Sequence, residues 1–378
     1  MRLQKIYAHA PSVPKFSAGL HETAIFSEKL LAFRVRKLEE IRVVQYGVGA
    51  VGRLIARHLL QKTGLQIVGA LDNAREMIGQ DLGYVLDLNK PLGIKVSSDP
   101  ETLLANERPH VVIHATSSNM NEVFPQLVQI VENGANVIST CEELSYPYYS
   151  EPRLAAELDR LAKINGVTVL GTGINPGFLM DTLVIALSAV CQEIEEIRAT
   201  RVMNAATRRV PFQRKIGSGL KVAAFHEAIK RGDISGHVGL VQSISMIAAA
   251  LAWELERIQA DPVEPIVTST PVESERIHVE AGHVAGLRQT ARGFLNEKKI
   301  ITLEFQAYIG ARDEFDSILI KGVPTINQKI TPCVHGDVGT VAMVVNALPK
   351  VISAQSGLTT MKDLPVPSAT STNILKHL

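Results

Sequence analysis

Cysteine is scarce in this sequence, and its cysteines are widely spaced. The three residues, Cys141, Cys191 and Cys333, are odd in number and form no closely spaced pair. This pattern argues against a disulfide framework and against a cysteine-based zinc cluster. The histidines in glycine-rich surroundings, His237 and His335, also lack the spacing of metal ligands. We therefore predict a protein of a reducing compartment, with a cytoplasmic location and no bound metal.

The sequence also lacks an excess of either charge, and it lacks long apolar runs. The 39 basic and 38 acidic residues leave a formal charge of +1, which provides no electrostatic footprint for nucleic acid or for an anionic membrane. Apolar stretches such as residues 241–255 are interrupted and fall short of the roughly 20 residues that cross a membrane. We predict a packed globular protein with neither a nucleic-acid partner nor a membrane span.

The first 40 residues differ in pattern from the rest of the chain. Residues 1–20 carry three basic residues, no acid and no long apolar run, which argues against a secretory signal. An organellar targeting segment at residues 1–40 is left open, although the acidic residues between positions 22 and 40 weaken it. The alternative is a poorly ordered N-terminal extension.

The segment 41–172 predicts a Rossmann domain, an α/β fold with a doubly wound parallel sheet. Strand-like and helical patterns alternate through it. In chain order we predict strands at 42–46, 66–71, 110–115, 136–140 and 167–170, and helices at 53–62, 121–133 and 151–165. Strands separated by helices of this length are typical of a parallel sheet with helices on both faces.

After residue 172 the pattern changes to segregated helices and strands, which predicts an α+β substrate and dimerisation domain over 173–335. We predict helices at 181–191, 219–231 and 238–258, and strands at 195–203, 266–270, 276–280, 285–291 and 300–309. In the last segment, 336–378, a helix at 338–351 is expected to pack back on the Rossmann domain. The proline-rich stretch 364–367 is expected to end the compact fold.

A glycine turn after the first strand is the strongest functional signal. Gly47 permits the tight turn, Gly49 lets the backbone approach a pyrophosphate, and Gly52 allows the helix to pack closely on the strand. Together with the intervening residues Val48, Ala50 and Val51, these glycines predict a dinucleotide site. A glycine turn beside an incidental surface aspartate is the structural alternative.

The end of the second strand bears on the choice between NAD and NADP. Asp72 would accept hydrogen bonds from ribose hydroxyls, which favours NAD. Arg75 lies three residues later and could pair with the 2′-phosphate of NADP, because guanidinium and phosphate match bidentately. A solvated surface position for Arg75 explains the sequence equally well, so NAD and NADP both stay open.

Other polar residues come after later strands of the sheet. Thr116 and Ser117 come after the strand 110–115, where ligands of open α/β sheets bind, and could line the nicotinamide ribose. A capping turn is the alternative there. Asn175 lies in a glycine-rich loop after the strand 167–170 and could donate and accept hydrogen bonds at the ligand. That loop could equally be an interdomain hinge.

Two adjacent carboxylates, Glu142 and Glu143, come after the strand 136–140 at the same edge. A carboxylate beside the nicotinamide could bind an ammonium or iminium ion and transfer protons. Because successive strand side chains point to opposite faces, we expect one of the two to reach the substrate. The alternative is a pair of solvated acids at a helix start. The segment 201–219 is basic, with Arg208, Arg209, Arg214 and Lys215. It could receive a carboxylate or phosphate, or form a surface loop or a subunit contact.

Five separated motifs together resemble the family of 2,4-diaminopentanoate dehydrogenases and the related native amine dehydrogenases. They lie at residues 47–52, 139–147, 171–178, 208–213 and 335–340, and the resemblance extends from about residue 41 to about residue 367. It implies the two-domain fold of dihydrodipicolinate reductase. The paired-histidine segment of dihydrodipicolinate reductases themselves is missing here, which disfavours the reaction of those enzymes.

The resemblance implies a homodimeric enzyme that interconverts an amine with a ketone or aldehyde plus ammonia, using NAD or NADP. It also implies that one carboxylate of Glu142 and Glu143 is the catalytic acid, and we favour Glu143. Two alternatives are kept. One is an NAD(P)-dependent carbonyl or alcohol dehydrogenase on the same fold, and the other is a dinucleotide-binding sensor without turnover.

Overall fold

The computed structural model describes residues 38–378. The expectations of a poorly ordered extension and of a targeting segment at residues 1–40 fall almost entirely on residues outside this range.

Sixteen strands lie within residues 38–378. They are β1 (Ile41–Tyr46), β2 (Leu65–Leu71), β3 (Val96–Ser97), β4 (Val111–His114), β5 (Asn136–Ser139), β6 (Thr168–Gly171), β7 (Glu193–Asn204), β8 (Arg257–Ala260), β9 (Glu264–Val267), β10 (Val272–Glu273), β11 (His278–Val279), β12 (Val284–Leu295), β13 (Lys298–Tyr308), β14 (Phe315–Val323), β15 (Ile326–Ile330) and β16 (Gly357–Thr359).

The α-helices of the same part of the chain connect and cover these strands. They are α1 (Ala50–Leu59), α2 (Leu82–Val85), α3 (Pro100–Glu107), α4 (Met120–Glu132), α5 (Pro152–Ile164), α6 (Thr182–Ser188), α7 (Val210–Lys215), α8 (Val222–Arg231), α9 (Leu240–Ala250) and α10 (Gly336–Ile352).

The first sheet is parallel throughout, with the strand order β16-β6-β5-β4-β1-β2-β3. Its central strands are almost continuously apolar and buried, because helices cover both faces of such a sheet. The glycine turn between β1 and α1 lies at the carboxyl edge, as the predicted Rossmann pattern requires. The α/β fold class with a doubly wound parallel sheet is confirmed.

The second sheet is mixed, with the order β15-β14-β7-β13-β12-β8 and β9 paired to β12. Strand β7 runs parallel to β13 and antiparallel to β14. Helix α9 packs against β12 and β13 on one face of this sheet. Helix α10 returns to the first sheet, where it contacts α1, β5 and β6. The domain boundaries at 172 and 335 stay predictions that fit this arrangement.

Three predicted features differ from the structure. The helix predicted over 238–258 ends at Ala250, and Ala252 has a left-handed φ of 54° before strand β8 begins. Strands β14, β15 and β16 are not apparent in the sequence pattern. The expectation that the compact fold ends at the proline-rich stretch is wrong, because the chain beyond it returns to pair with Thr63 and buries Ile374 completely.

Within residues 38–378, no helix is both long and apolar enough to cross a membrane. In the same range, His, Cys, Asp and Glu side chains form no cluster that could hold a metal ion.

Candidate active site

A cavity of about 480 Å³ lies at the carboxyl edge of the parallel sheet and reaches the second sheet. The glycine turn and the segments immediately after β4, β5 and β6 form one side of it. The opposite side comes from β7, from the basic segment before and within α7, from the loop before α9 and from the start of α10. The cavity therefore brings together motifs that are far apart in the sequence.

The glycine turn leaves room for a ligand only at its middle glycine. A side chain at Gly47, whose φ is 90°, would place its Cβ 2.3 Å from the carbonyl oxygen of Ala115. A Cβ at Gly52 would lie 1.9 Å from the carbonyl oxygen of Gly47. A Cβ at Gly49 would meet nothing within 4 Å, and this residue lines the cavity. The turn is thus packed on the protein side and open on the side where a pyrophosphate would lie.

Asp72 fixes the neighbouring backbone. One carboxylate oxygen accepts a hydrogen bond from the Val48 amide at 2.7 Å, and the other accepts from the Ala74 amide at 2.9 Å. A second cavity of about 420 Å³ begins here and also contacts Gly49. Arg75 is exposed and, within residues 38–378, is not part of the wall of either cavity. The structure therefore brings Asp72, but not Arg75, to the wall of the second cavity.

Thr116 and Ser117 line both cavities, which joins the two regions at the end of β4. The Ser117 hydroxyl donates to Glu122 at 2.5 Å, and the Thr116 hydroxyl donates to Gln126 at 2.8 Å. Both side chains are therefore held by helix α4 while remaining on the wall. Their place after β4 at the carboxyl edge agrees with the sequence pattern, and contact with a nicotinamide ribose stays a prediction.

A buried histidine to which the sequence analysis gave no role, His114, connects the end of β4 with the end of β5 and with α4. His114 is fully buried, with Nδ1 2.9 Å from the Ser139 hydroxyl and Nε2 2.7 Å from the Gln126 side-chain oxygen. Ser139 also accepts a hydrogen bond from the Cys141 amide at 3.1 Å. Burial lowers the pKa of His114 to about 4, against the opposing hydrogen bond with Gln126. The neutral imidazole thus anchors the turn that carries Glu142.

The two adjacent glutamates have different surroundings. The Glu143 carboxylate accepts a hydrogen bond from the Met120 amide at 2.6 Å, which ties it to the first turn of α4. Glu142 lies on the cavity wall. Burial raises the pKa of Glu142, while the Ser118 hydroxyl and the positive charge of Lys215 act in the opposite direction. This placement revises the preference for Glu143, because that carboxylate serves a helix start and Glu142 faces the cavity.

Asn175 contacts a half-buried histidine, His237, on the wall of the cavity. Its side-chain nitrogen donates to His237 Nε2 at 2.9 Å, and the imidazole stacks on Phe305 with ring centroids 4.4 Å apart. Burial lowers the pKa of His237 to about 3, helped by the charges of Arg201 and Lys215. The side-chain oxygen of Asn175 is buried without a hydrogen-bond partner among residues 38–378. Asn175 thus combines a place on the cavity wall with a buried acceptor that has no protein partner within the described residues.

The basic segment contributes cations to the wall. Arg208 pairs with Asp337 at 2.9 Å and lies over the Phe212 ring at 4.6 Å, while Arg209 lies 3.6 Å from the same carboxylate. Lys215, at the end of α7, also lines the cavity. A role of this segment at the site, rather than as a surface loop, is supported by the geometry.

Two family models match the chain. Residues 178–378 match the C-terminal domain of 2,4-diaminopentanoate dehydrogenase, and residues 41–141 match the N-terminus of dihydrodipicolinate reductase.

Individual relatives agree with these matches. The chain is 38% identical over 339 residues to the 2,4-diaminopentanoate dehydrogenase of Acetoanaerobium sticklandii, covering 88% of this chain and 95% of the relative. It is 24% identical over 356 residues to an amine dehydrogenase of Streptomyces virginiae, covering 87% and 97%. The structure of an amine dehydrogenase from Mycobacterium smegmatis superposes with a TM-score of 0.77 at 28% identity, covering 88% of this chain and 98% of the other.

Proposed function

The chain belongs to the family of 2,4-diaminopentanoate dehydrogenases and is an NAD(P)-dependent amine dehydrogenase, and from that premise we propose how its residues carry the reaction. The proposal is that Glu142 is the catalytic carboxylate for reductive amination of a carbonyl substrate with ammonia and for the reverse deamination. The observation that carries it is that Glu142 lines the same cavity as the glycine turn.

The proposed reaction consumes a ketone or aldehyde, ammonia, NAD(P)H and a proton, and it yields an amine, NAD(P)⁺ and water. The dinucleotide, when bound, supplies or accepts the hydride. Ammonia adds to the carbonyl carbon, and loss of water leaves an iminium ion whose carbon takes the hydride. The protein must stabilise the iminium cation and donate the proton with which the hydroxyl group leaves as water.

Glu142 is suited to both tasks. Its carboxylate lies in a partly desolvated wall, where attraction to an ammonium or iminium ion is stronger than in water. Its pKa is raised mainly by burial, which brings the group closer to the range in which a carboxylic acid can exchange protons near neutral pH. We propose that Glu142 gives a proton to the departing hydroxyl group and then faces the iminium nitrogen as a carboxylate.

The dinucleotide would be held by the residues that the sequence indicated, except for Arg75. The cavity side of the glycine turn would receive the pyrophosphate, and Asp72 would accept hydrogen bonds from the ribose of the adenosine. We propose that Thr116, Ser117 and Asn175, which line the cavity, would contact the nicotinamide end of the dinucleotide. The open space at Gly49 is the feature of the structure that supports this fit.

For the substrate, we propose a small amine of the diaminopentanoate type, since a relative at 38% identity is named for that compound. We also propose that the active protein is a homodimer, which sedimentation of the purified protein tests.

The test of function is NADH or NADPH oxidation with a panel of carbonyl compounds, including 2-amino-4-oxopentanoate, each with and without excess ammonium. Ammonium-dependent oxidation is the expected result. Oxidation that does not need ammonium would instead indicate a carbonyl or alcohol dehydrogenase. Dinucleotide binding without turnover for any compound would indicate a sensor.

A further inference from the structure

Some charged side chains on the cavity wall form ion pairs, and others do not. Arg201 forms a buried ion pair with Asp316 at 2.8 Å. Arg208 and Arg209 share the carboxylate of Asp337. Lys215, the remaining cation of the wall, forms no ion pair with any carboxylate among residues 38–378.

The acidic side of the same wall shows the matching pattern. Asp337 is occupied by the two arginines, whereas Glu142 has no ion-pair partner within the described part of the chain. Lys215 and Glu142 do not pair with each other, yet they are close enough for the lysine charge to act on Glu142. One cavity therefore presents one unpaired anion and one unpaired cation. A ligand with separated positive and negative groups would complement both.

The position of Lys215 is fixed by the segment that carries it. In α7 the buried side chain of Gln213 donates to the Arg208 carbonyl oxygen at 2.6 Å and accepts from the Ser274 hydroxyl at 2.7 Å. These bonds hold the helix against both the preceding loop and the turn that connects β10 with β11. The side chains of Arg214 and Lys215 are both exposed, but Lys215 lines the cavity and Arg214 does not. The two adjacent cations therefore differ in access to the site.

We propose that Lys215 is the specificity-determining residue that receives a carboxylate of the substrate while Glu142 faces the substrate nitrogen. The enzyme then selects keto acids and amino acids over neutral ketones and amines of the same length. This inference rests on the proposed function for the role of Glu142, but the anion-binding role of Lys215 is measurable without turnover.

The test compares two probes that differ only at one end. Levulinate is a five-carbon keto acid, and methyl propyl ketone carries a methyl group in place of its carboxylate. Binding of each probe is measured by calorimetry to the protein saturated with oxidised dinucleotide and without ammonium. The proteins are the wild type, Lys215→Met, Lys215→Arg and, as the matched control, Arg214→Met.

The wild type is expected to bind levulinate more tightly than the neutral ketone. Lys215→Met should weaken levulinate binding by about 10-fold or more, the usual effect of losing a hydrogen bond to a charged group. Binding of methyl propyl ketone should be unchanged, Lys215→Arg should restore part of the difference, and Arg214→Met should resemble the wild type. In the ammonium assay, Lys215→Met should raise KM for a carboxylate substrate more than it lowers kcat.

Three results would overturn the inference. The first is wild-type protein that binds both probes equally. The second is a Lys215→Met variant in which binding of levulinate and binding of methyl propyl ketone are weakened to the same extent. The third is weakened dinucleotide binding with unchanged levulinate binding, which would assign Lys215 to the cofactor phosphates. If the proposed function is wrong but this inference is right, the wild type will show no ammonium-dependent turnover. It will still bind levulinate more tightly than methyl propyl ketone.

Discussion

The Met120 amide donates a 2.6 Å hydrogen bond to the Glu143 carboxylate and thereby separates two adjacent glutamates into different roles. Glu143 satisfies one of the amides at the start of α4 that have no partner within the helix. Glu142, one residue earlier, is left on the cavity wall. The pair provides a matched comparison, because both substitutions to glutamine change the same chemical group at neighbouring positions.

We expect Glu142→Gln to lower turnover by about 100-fold or more, since a positioned acid or base contributes roughly that factor. Glu143→Gln should keep turnover within a few-fold of the wild type, because the glutamine oxygen can still accept from the helix amide. Steady-state kinetics with saturating ammonium provides the measurement, and dinucleotide fluorescence shows that both variants still bind cofactor. Equal losses in both variants, or a greater loss for Glu143→Gln, would contradict the assignment.

The raised pKa of Glu142 also predicts a pH-dependent effect on stability. Burial raises this pKa above its ordinary value, so the folded protein binds the proton more tightly than the unfolded chain does. The contribution is present below the ordinary carboxyl pKa and is lost as pH rises through the raised folded value. Relative to Glu142→Gln, the wild type should therefore lose melting temperature as pH rises through that window. A difference in Tm that stays constant with pH would contradict this.

The glycine turn could be predicted from the sequence because its signals are local. A strand, three glycines at fixed spacing, a helix and an acid at the end of the next strand together leave few alternative structures. The structure places Gly47, Gly49, Gly52 and Asp72 as this pattern requires.

The choice between the two glutamates could not be made from the sequence because strand alternation does not reach them. Strand β5 ends at Ser139, and Glu142 already has helical backbone angles of −62° and −41° before the short turn at Glu143–Ser145. The partner of Glu143 comes from another helix. The place of His237 likewise depends on stacking against Phe305 of β13, and that of Lys215 on the distant segments that meet at the cavity. A single sequence carries no signal for either.

The return of the last residues was missed for a related reason. The stretch after Leu364 has proline and small polar residues and no apolar periodicity, which is typical of a tail. Its order comes from long-range backbone contacts, including a 2.8 Å bond from the Thr63 amide to the Thr372 carbonyl oxygen, and from one buried side chain, Ile374.

Asp72 predicts a preference for NAD over NADP. The wall of the second cavity contains this carboxylate and, within the described residues, no lysine or arginine. A carboxylate accepts hydrogen bonds from ribose hydroxyls but repels a 2′-phosphate. We expect Asp72→Asn to shift the ratio of kcat/KM for the two cofactors toward NADP by about 10-fold, the effect of one charged hydrogen bond.

Arg75→Ala is the control for the cofactor experiment, because Arg75 is exposed and lies off the wall of that cavity. The ratio of kcat/KM for NAD and NADP should stay near the wild-type ratio in this variant. A strong loss of NADP use in Arg75→Ala would show that the arginine reaches a 2′-phosphate, and the preference derived from Asp72 would then be wrong.

His114 predicts a loss of stability in acid. Burial lowers its pKa to about 4 from the ordinary 6.5, so the unfolded chain takes up a proton first as pH falls. The stabilisation is complete above pH 6.5 and is lost progressively toward pH 4, by roughly 3 kcal/mol in all. Glutamine does not titrate in this range. The deficit in unfolding free energy of His114→Gln relative to the wild type should therefore shrink as pH falls from 6.5 toward 4.

Denaturant unfolding at a series of pH values measures the His114 effect, with the exposed His226→Gln as the control for a generic loss of one imidazole. At neutral pH, His114→Gln should be less stable than the wild type by about 1–3 kcal/mol, because Ser139 or Gln126 loses a buried hydrogen bond. Its turnover should also fall, since Ser139 holds the Cys141 amide next to Glu142. A deficit independent of pH would mean that His114 is protonated in the folded protein, and its hydrogen bonds would then need to be reassigned.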